Sequence, residues 1–331
     1  MRTLARLFVQ VLRLAEKAGL VKLGHVALDG TKIKANASKH KAMSYERMKR
    51  REAELTAEVD RWLAAAAAAD TEEDKRLGDK RGDEMPAWVA DREKRLEKIR
   101  AARAALEAEA KAAAEAETRR RAEAEEKRLA EGRKKSGRTP APPSPQSDDK
   151  AQRNFTDPDS RILLTKDGYI QGYNAQAAVD GAAQIIVAHA LTPSMSDQDQ
   201  LVPLVDAAKN HLGGRRPKEV SADAGYCSEP NLTALAARGV RAYLATGRAK
   251  HPAEGKRHLT GPLTQAMRNQ LKRVGRRSRY RLRKQIVEPV FGQIKQARGF
   301  RQFLLRGLEK VKAEWALICT AHNLTKLARP A

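Results

Sequence analysis

The chain has 331 residues, 41% of them apolar but only 4% aromatic, so it can build one large or two ordinary domains with core material unevenly spread. No apolar run approaches the roughly 18 to 20 residues of a membrane span, and Cys227 and Cys319, far apart, form neither a CxxC motif nor a disulfide framework, which fits a reducing cytoplasm. Net charge is +24, and the last 91 residues hold +18 of it, with 22 Lys and Arg against four acids.

A block this basic predicts a polyanion-binding surface. Nucleic acid is favoured over anionic membrane, because RNQLKRVGRRSRYRLRK (268–284) lacks an aromatic-rich apolar face. Among seven histidines the nearest pair, His251 and His258, lies in a Gly/Pro-rich loop without metal-ligand spacing.

In chain order, residues 1–24 open with MRTLARLFVQVLRLAEKAG, an amphipathic helix with Leu4, Leu7, Phe8, Val11, Leu12 and Ala15 on one face. It lacks a secretory cleavage pattern and is expected to pack. HVALDGTKIKAN predicts a strand, the first of the core (25–39), with Val26 and Leu28 on one face and Asp29-Gly30 as a turn or strand end. Residues 40–131 are rich in Ala, Glu, Lys and Arg with apolar positions three or four apart, which predicts an antiparallel pair of long helices broken around Gly78–Pro86. Its charges nearly cancel, so a solvated helical arm is expected. Residues 132–150 are a Pro/Ser/Gly linker that cannot pack.

Residues 151–331 carry the rest of the core. Segments 168–180 and 182–192 flank an Asp180-Gly181 turn and predict a hairpin. Ser196 is the expected N-cap of the next helix, with Pro203 as a kink. EVSA then leads into Asp223, a helix follows from Glu229 to about Arg238, and GVRAYLAT is the next strand. Basic helices are expected over about 262–275, 277–297 and 307–329. The sum is an α/β fold, a mixed sheet flanked by helices. Residues 40–150 form an insertion within it, since a lone strand at 25–35 must find a partner.

Outside the arm, three acids stand out. Asp29 and Asp223 each end an apolar strand, and Glu288 lies in the most basic region. Each also has a purely structural reading: a turn at Asp29-Gly30, an N-cap at Asp223, an ion pair of Glu288 with Arg283 or Lys284. Together they suggest a cup for hard divalent cations, which take oxygen ligands and clamp the attacking and leaving oxygens of a phosphoryl displacement.

Four stretches resemble the DDE transposases of bacterial insertion sequences: ALDGTKIKANASKHKAMSYERM (27–48), KDGYIQGYNAQAAVD (166–180), SADAGYCSEPN (221–231) and YRLRKQIVEPVFGQIKQARGF (280–300). The last resembles the family's Y-x2-R-x3-E-x6-K pattern. Tyr280 leads it, Glu288 and Lys295 keep its six-residue interval, and the basic position falls to Arg283, with four residues before Glu288, or Lys284, with three.

The resemblance implies an RNase H-like core with the helical insertion after its first strand. Asp29, Asp223 and Glu288 would be catalytic and bind Mg²⁺, with Mn²⁺ as a substitute. Tyr280, Arg283, Lys284 and Lys295, with the neighbouring Arg276 and Arg277, would contact DNA. The implied activity is metal-dependent strand cleavage and transfer on double-stranded DNA, at transposon ends and target. The enzyme would act as a dimer in the reaction complex, in the cytoplasm at the nucleoid. Family members usually carry a sizeable helical region ahead of the first aspartate, and only 28 residues precede Asp29. An N-terminally truncated copy is therefore expected, and an inactive DNA-binding remnant is the alternative.

Overall fold

The computed structural model describes residues 2–77, 87–132, 140–165, 167–247 and 261–328. The predicted break at Gly78–Pro86, linker residues 133–139 and the His251/His258 pair lie outside them. The chain divides into two compact units, residues 1–38 with 159–331, and residues 39–158.

Helix α1 (Arg2–Lys17) opens the first unit. Phe8, Val11, Leu12 and Ala15 are buried at helical spacing, whereas Leu7, expected on the same face, is exposed because it lies one residue off that stripe. Strand β1 follows (His25–Lys34). Its length corrects the sequence reading: Asp29 and Gly30 are not a turn or a strand end but lie mid-strand, Gly30 pairing with Gln176.

The second unit is the arm. Short strands β2 (Ala42–Ser44) and β3 (Gln152–Asn154) pair antiparallel at its base, and between them run α2 (Tyr45–Leu77) and α3 (Ala87–Ala130). The helices are antiparallel, as expected. Glu52 binds Arg100 and Arg103, while Glu58, further along α2, binds Arg92, which comes earlier in α3. A thin seam of Met48, Leu55, Leu96, Ile99 and Leu106 is what they bury. Beyond it the Ala- and Glu-rich surface is solvated, held by pairs such as Glu117 with Arg121.

The first unit resumes with β4 (Arg161–Thr165), β5 (Gly168–Asp180), β6 (Ile186–Thr192), α4 (Leu201–His211), β7 (Glu219–Ala222), α5 (Glu229–Ala237), β8 (Arg241–Leu244), α6 (Pro262–Val274), α7 (Leu282–Gly292) and α8 (Leu308–Ala328). The sheet runs β4-β5-β1-β7-β8, and β6 continues beside β5 on the edge where β4 leaves off. Strands β4, β6 and β1 are antiparallel to β5, and β1, β7 and β8 are mutually parallel. β6 is an edge, and the Asn323 amide of α8 closes part of it by bonding both the N–H and the C=O of Ile186 at 2.8 Å. The core between sheet and helices holds Tyr173, Phe303 and Trp315, the indole N–H of Trp315 donating to Gln176 O.

Two helix starts differ from expectation. α4 begins at Leu201 after a 3-10 turn (Gln198–Gln200), so Pro203 falls in the first turn, where an N–H has no intrahelical partner, and causes no kink. Residues 277–297 are not one helix: a 3-10 turn (Arg279–Arg281), α7 and a π-helical turn (Gln293–Ala297) follow one another. Pro289 is inside α7, and the Gln285 carbonyl it leaves without its usual donor is taken by the Gln184 side chain at 2.9 Å. No helix among the described residues is long and apolar enough to cross a membrane.

Candidate active site

β7 runs parallel to β1 with Ala27 level with Ser221, and β7 ends at Ala222. One step further on, where the two chains part, Asp29 and Asp223 stand side by side. Asp29 is mid-strand yet at the mouth of the fork, because its parallel partner has already left the sheet. Asp223 caps the 3-10 turn Ala224–Tyr226, its Oδ1 accepting from Gly225 N at 2.9 Å. The capping role suggested from sequence is real and uses one oxygen.

α7 crosses β1 and brings Arg283 and Glu288 to the same place. Arg283 Nη1 lies 2.6 Å from Asp29 Oδ2 and Nη2 lies 3.1 Å from Glu288 Oε1. The Arg283 side chain is only 13% exposed, and its Nε has no partner. Lys284, one residue on, is exposed and does not line the cleft. Of the two basic candidates, only Arg283 touches the carboxylates. The Tyr280 ring lies 6.0 Å from the Arg283 guanidinium. The π-helical turn carries Lys295 inward, where Nζ donates to Thr31 Oγ1 (2.8 Å) and Lys32 O (2.9 Å). Arg277 is exposed in the 3-10 turn Gly275–Arg277, which also carries the Arg276 backbone.

Asp29, Asp223, Arg283, Glu288 and Lys295 line one open cleft of about 980 Å³. Burial pushes the Asp29 carboxyl up to about 6 even though Arg283 opposes it, and Asp223 and Glu288 add to the rise. Burial also raises Asp223; its bond from Gly225 works against this and nearby Asp197 works with it. Lys295 is lowered by burial and by Arg301.

Asp197 is the residue that sequence reasoning missed. It precedes α4 and lines the same cleft. Its Oδ1 accepts from Asn174 Nδ2 (2.7 Å) and Gln176 Nε2 (2.6 Å), neutral amides of β5 that are essentially fully buried. Tyr226 donates its hydroxyl to Gln176 Oε1, which leaves the amide nitrogen to face Asp197. Gly30 has to be glycine here, since a Cβ would strike the Gln176 amide and come within 2.8 Å of Asp197 Oδ1. The available signal was the alternation of polar Asn174 and Gln176 on one face of an otherwise apolar strand.

A family signature described as a transposase DDE domain matches residues 150–324, more than half of the chain. The chain belongs to the DDE transposase family. No curated protein is similar enough to the chain to count as a match. The family span includes Asp223 and Glu288, while Asp29 lies ahead of it.

DDE transposases generally use divalent cations. Among the described residues no three acidic, His or Cys side chains are gathered in coordinating geometry, since Arg283 lies between Asp29 and Glu288. The donor set nonetheless suits a hard cation, being all carboxylate oxygen. The backbone also leaves room for one: a Cβ on Gly225 would lie 3.1 Å from Asp223 Oδ1 and 3.2 Å from Asp197 Oδ2. The residues present fit a divalent ion.

Proposed function

We propose that the chain is a metal-dependent DNA transposase that cleaves strands at the ends of an insertion sequence and transfers them to target DNA. The observation that carries this is the meeting, in one cleft of a DDE-family chain, of Asp29 from β1, Asp223 from the end of β7 and Glu288 from α7. The sheet order supports an RNase H-like core: leaving out β4 and the arm, the strands in chain order are β1, β5, β6, β7 and β8, and they lie as third, second, first, fourth, fifth.

Asp29, Asp223 and Glu288 would hold Mg²⁺, or Mn²⁺ in its place. When bound, the ion would lower the pKa of a water or a strand-end hydroxyl and stabilise charge on the phosphate. The chain's own cations serve the DNA. Arg283, able to donate to two oxygens at once, and Lys295 sit at the cleft to orient a backbone phosphate, and Tyr280 beside Arg283 is suited to stack on an end nucleotide. Arg277 and Lys284, both exposed, extend the basic surface outward, and Arg276 is proposed as a further phosphate contact.

Cleavage forms a P–O bond to water and breaks the bond to the 3′ oxygen, leaving a free 3′-hydroxyl. Transfer forms a bond from that 3′ oxygen to a target phosphorus and releases a target 3′-hydroxyl. No covalent protein–DNA bond is needed. Two ends must be joined, so at least two copies act together, at the nucleoid.

The test is nicking of supercoiled plasmid by the full chain in Mg²⁺ or Mn²⁺, with Asp223→Asn beside it. Metal-dependent nicking by the parent and none by the variant is expected. Equal nicking by both removes Asp223 from the reaction; no nicking by either, with salt-sensitive DNA binding kept, overturns the catalytic reading.

A further inference from the structure

Among the carboxylates of the cleft, Asp197 has the least ordinary setting. Acids at the start of a helical turn commonly cap it, but the Asp197 side chain makes no capping bond to the turn it precedes. Surface acids commonly pair with a cation, yet among the described residues neither Asp197 nor Asp223 has a Lys or Arg within ion-pair distance. The largely covered guanidinium of Arg283 is committed to Asp29 and Glu288. Arg283 and Lys32 act on Asp223 only from further off.

What Asp197 does have is a fixed direction. Oδ1 is held by two amides, Asn174 and Gln176, whose own orientation follows from Tyr226. Oδ2 is thereby turned toward Gly225. Because the Asp223 Oδ1 and Asp197 Oδ2 atoms both lie close to the single point where a Gly225 Cβ would stand, they are no further apart than the sum of 3.1 and 3.2 Å. Two carboxylates whose oxygens lie within that limit, with no cation between them, repel one another, and Asp197 is among the groups that raise Asp223. A buried network of neutral side chains that maintains such an arrangement is built for a cation from outside.

We propose that Asp197 is a fourth carboxylate of the active site, which with Asp223 holds a divalent cation over Gly225. The inference rests on the metal-dependent reading above and adds to it a residue outside the Asp29, Asp223 and Glu288 set. It assigns Asn174 and Gln176 as positioning residues that aim the carboxylate, and it explains why positions 30 and 225 are glycine: one leaves room for the amide bonds to Oδ1, the other for the ion.

The experiment is Mn²⁺ binding to the full chain by titration calorimetry, with thermal melting of each variant. Asp197→Asn keeps the shape and an oxygen acceptor for the two amides, so its melting point should hold while Mn²⁺ affinity falls about ten- to a hundredfold. Gly225→Ala should do the same by filling the space, since Gly225 is not in a left-handed conformation and alanine is compatible with its backbone. Asp197→Asn combined with Asp223→Asn should weaken Mn²⁺ little more than Asp223→Asn alone, because the two share one ion.

Unchanged Mn²⁺ affinity in Asp197→Asn, with or without a lower melting point, overturns the proposal and assigns Asp197 to the fold. That result leaves the main reading standing if the parent still nicks DNA and Asp223→Asn does not. A parent chain that binds no Mn²⁺ and nicks nothing overturns both.

Discussion

The amino end and the middle of β1 both carry charge drawn in from solvent, and they settle it differently. At the amino end, Glu219 of β7 is almost completely buried. It is met by His25 (3.2 Å), Arg241 (3.0 Å) and Arg279 (2.9 Å), and the other nitrogen of His25 is bonded to Ser221 Oγ. Serine, histidine and glutamate in that order suggest a hydrolytic triad, but Ser221 has no exposed surface and no substrate can reach it. Around Asp29, at mid-strand, stand Asp223, Asp197 and Glu288, and among the described residues one guanidinium, that of Arg283, reaches only Asp29 and Glu288. A cluster whose acid is matched by bases is complete as protein. A surplus of fixed acid is what the proposed metal site requires.

The comparison breaks most sharply in activity. Asp29→Asn and Glu288→Gln should each lower metal-dependent nicking at least about a thousandfold, measured on supercoiled plasmid. Glu219→Gln should leave nicking readily measurable at a temperature where the variant is folded. A Glu219 variant that is folded yet as inactive as Asp29→Asn would erase the distinction.

Stability should respond with opposite signs. Glu219→Gln should cost about 2 to 3 kcal/mol in urea denaturation, because a buried acceptor of several charged bonds is lost. Asp223→Asn removes a charge that burial and Asp197 disfavour. It should leave stability unchanged or raise it by up to about 1 kcal/mol, as removal of functional strain often does. Destabilisation of Asp223→Asn comparable to that of Glu219→Gln would show that Asp223 is mainly structural.

Acidification offers a finer separation. Asp29 titrates at about 6 in the fold against a usual 3.8, so the folded chain takes up that proton first, and the associated penalty, present above about pH 6, fades as pH falls toward 4. His322 is lowered by burial to about 4, and His25 is lowered by burial as well. Nε2 of His322 donates to Gln184 O and Nδ1 has no partner, as suits a neutral ring. For both groups the unfolded chain takes up protons first, so their contribution is full above about 6.5 and is lost on acidification, for His322 as pH falls through about 4. In melts from pH 7 to 4, Asp29→Asn should steepen the acid loss and His322→Gln should flatten it; two curves parallel to the parent's would remove both assignments. The smallest effect belongs to the outer cations. Arg277→Ala and Lys284→Ala should each reduce the slope of log affinity for DNA against log salt by about one, with stability unchanged.

Much of this was legible in the sequence because it depends on local chemistry. The strand at Val26–Leu28, the carboxylate following EVSA and the helical arm each follow from short-range pattern. Strand β4 is absent from the sequence reading, although Asp167-Gly168 before β5 is the same residue pair as the Asp180-Gly181 turn. In the sequence Asp29 reads as a strand end because Asp-Gly usually marks one; what ends there is β7, a neighbour about 190 residues away. Asp197 was out of reach for a similar reason. Its direction is set by Asn174, Gln176 and Tyr226, and nothing beside it in the chain indicates them.

The insertion between β1 and β5 also has a consequence for synthesis. β1 is the central strand, yet its partner β5 pairs Asp180 with Val26 across about 150 residues, and β7 comes later still. At roughly 5 to 20 residues per second, β1 waits about 8 to 30 s on the ribosome before either neighbour is made. The arm's helices pair within their own segment and can form during that interval. The order of folding is therefore arm before core, and a nascent chain stalled before Asp180 should have a protease-resistant arm beside a β1 that is still cut.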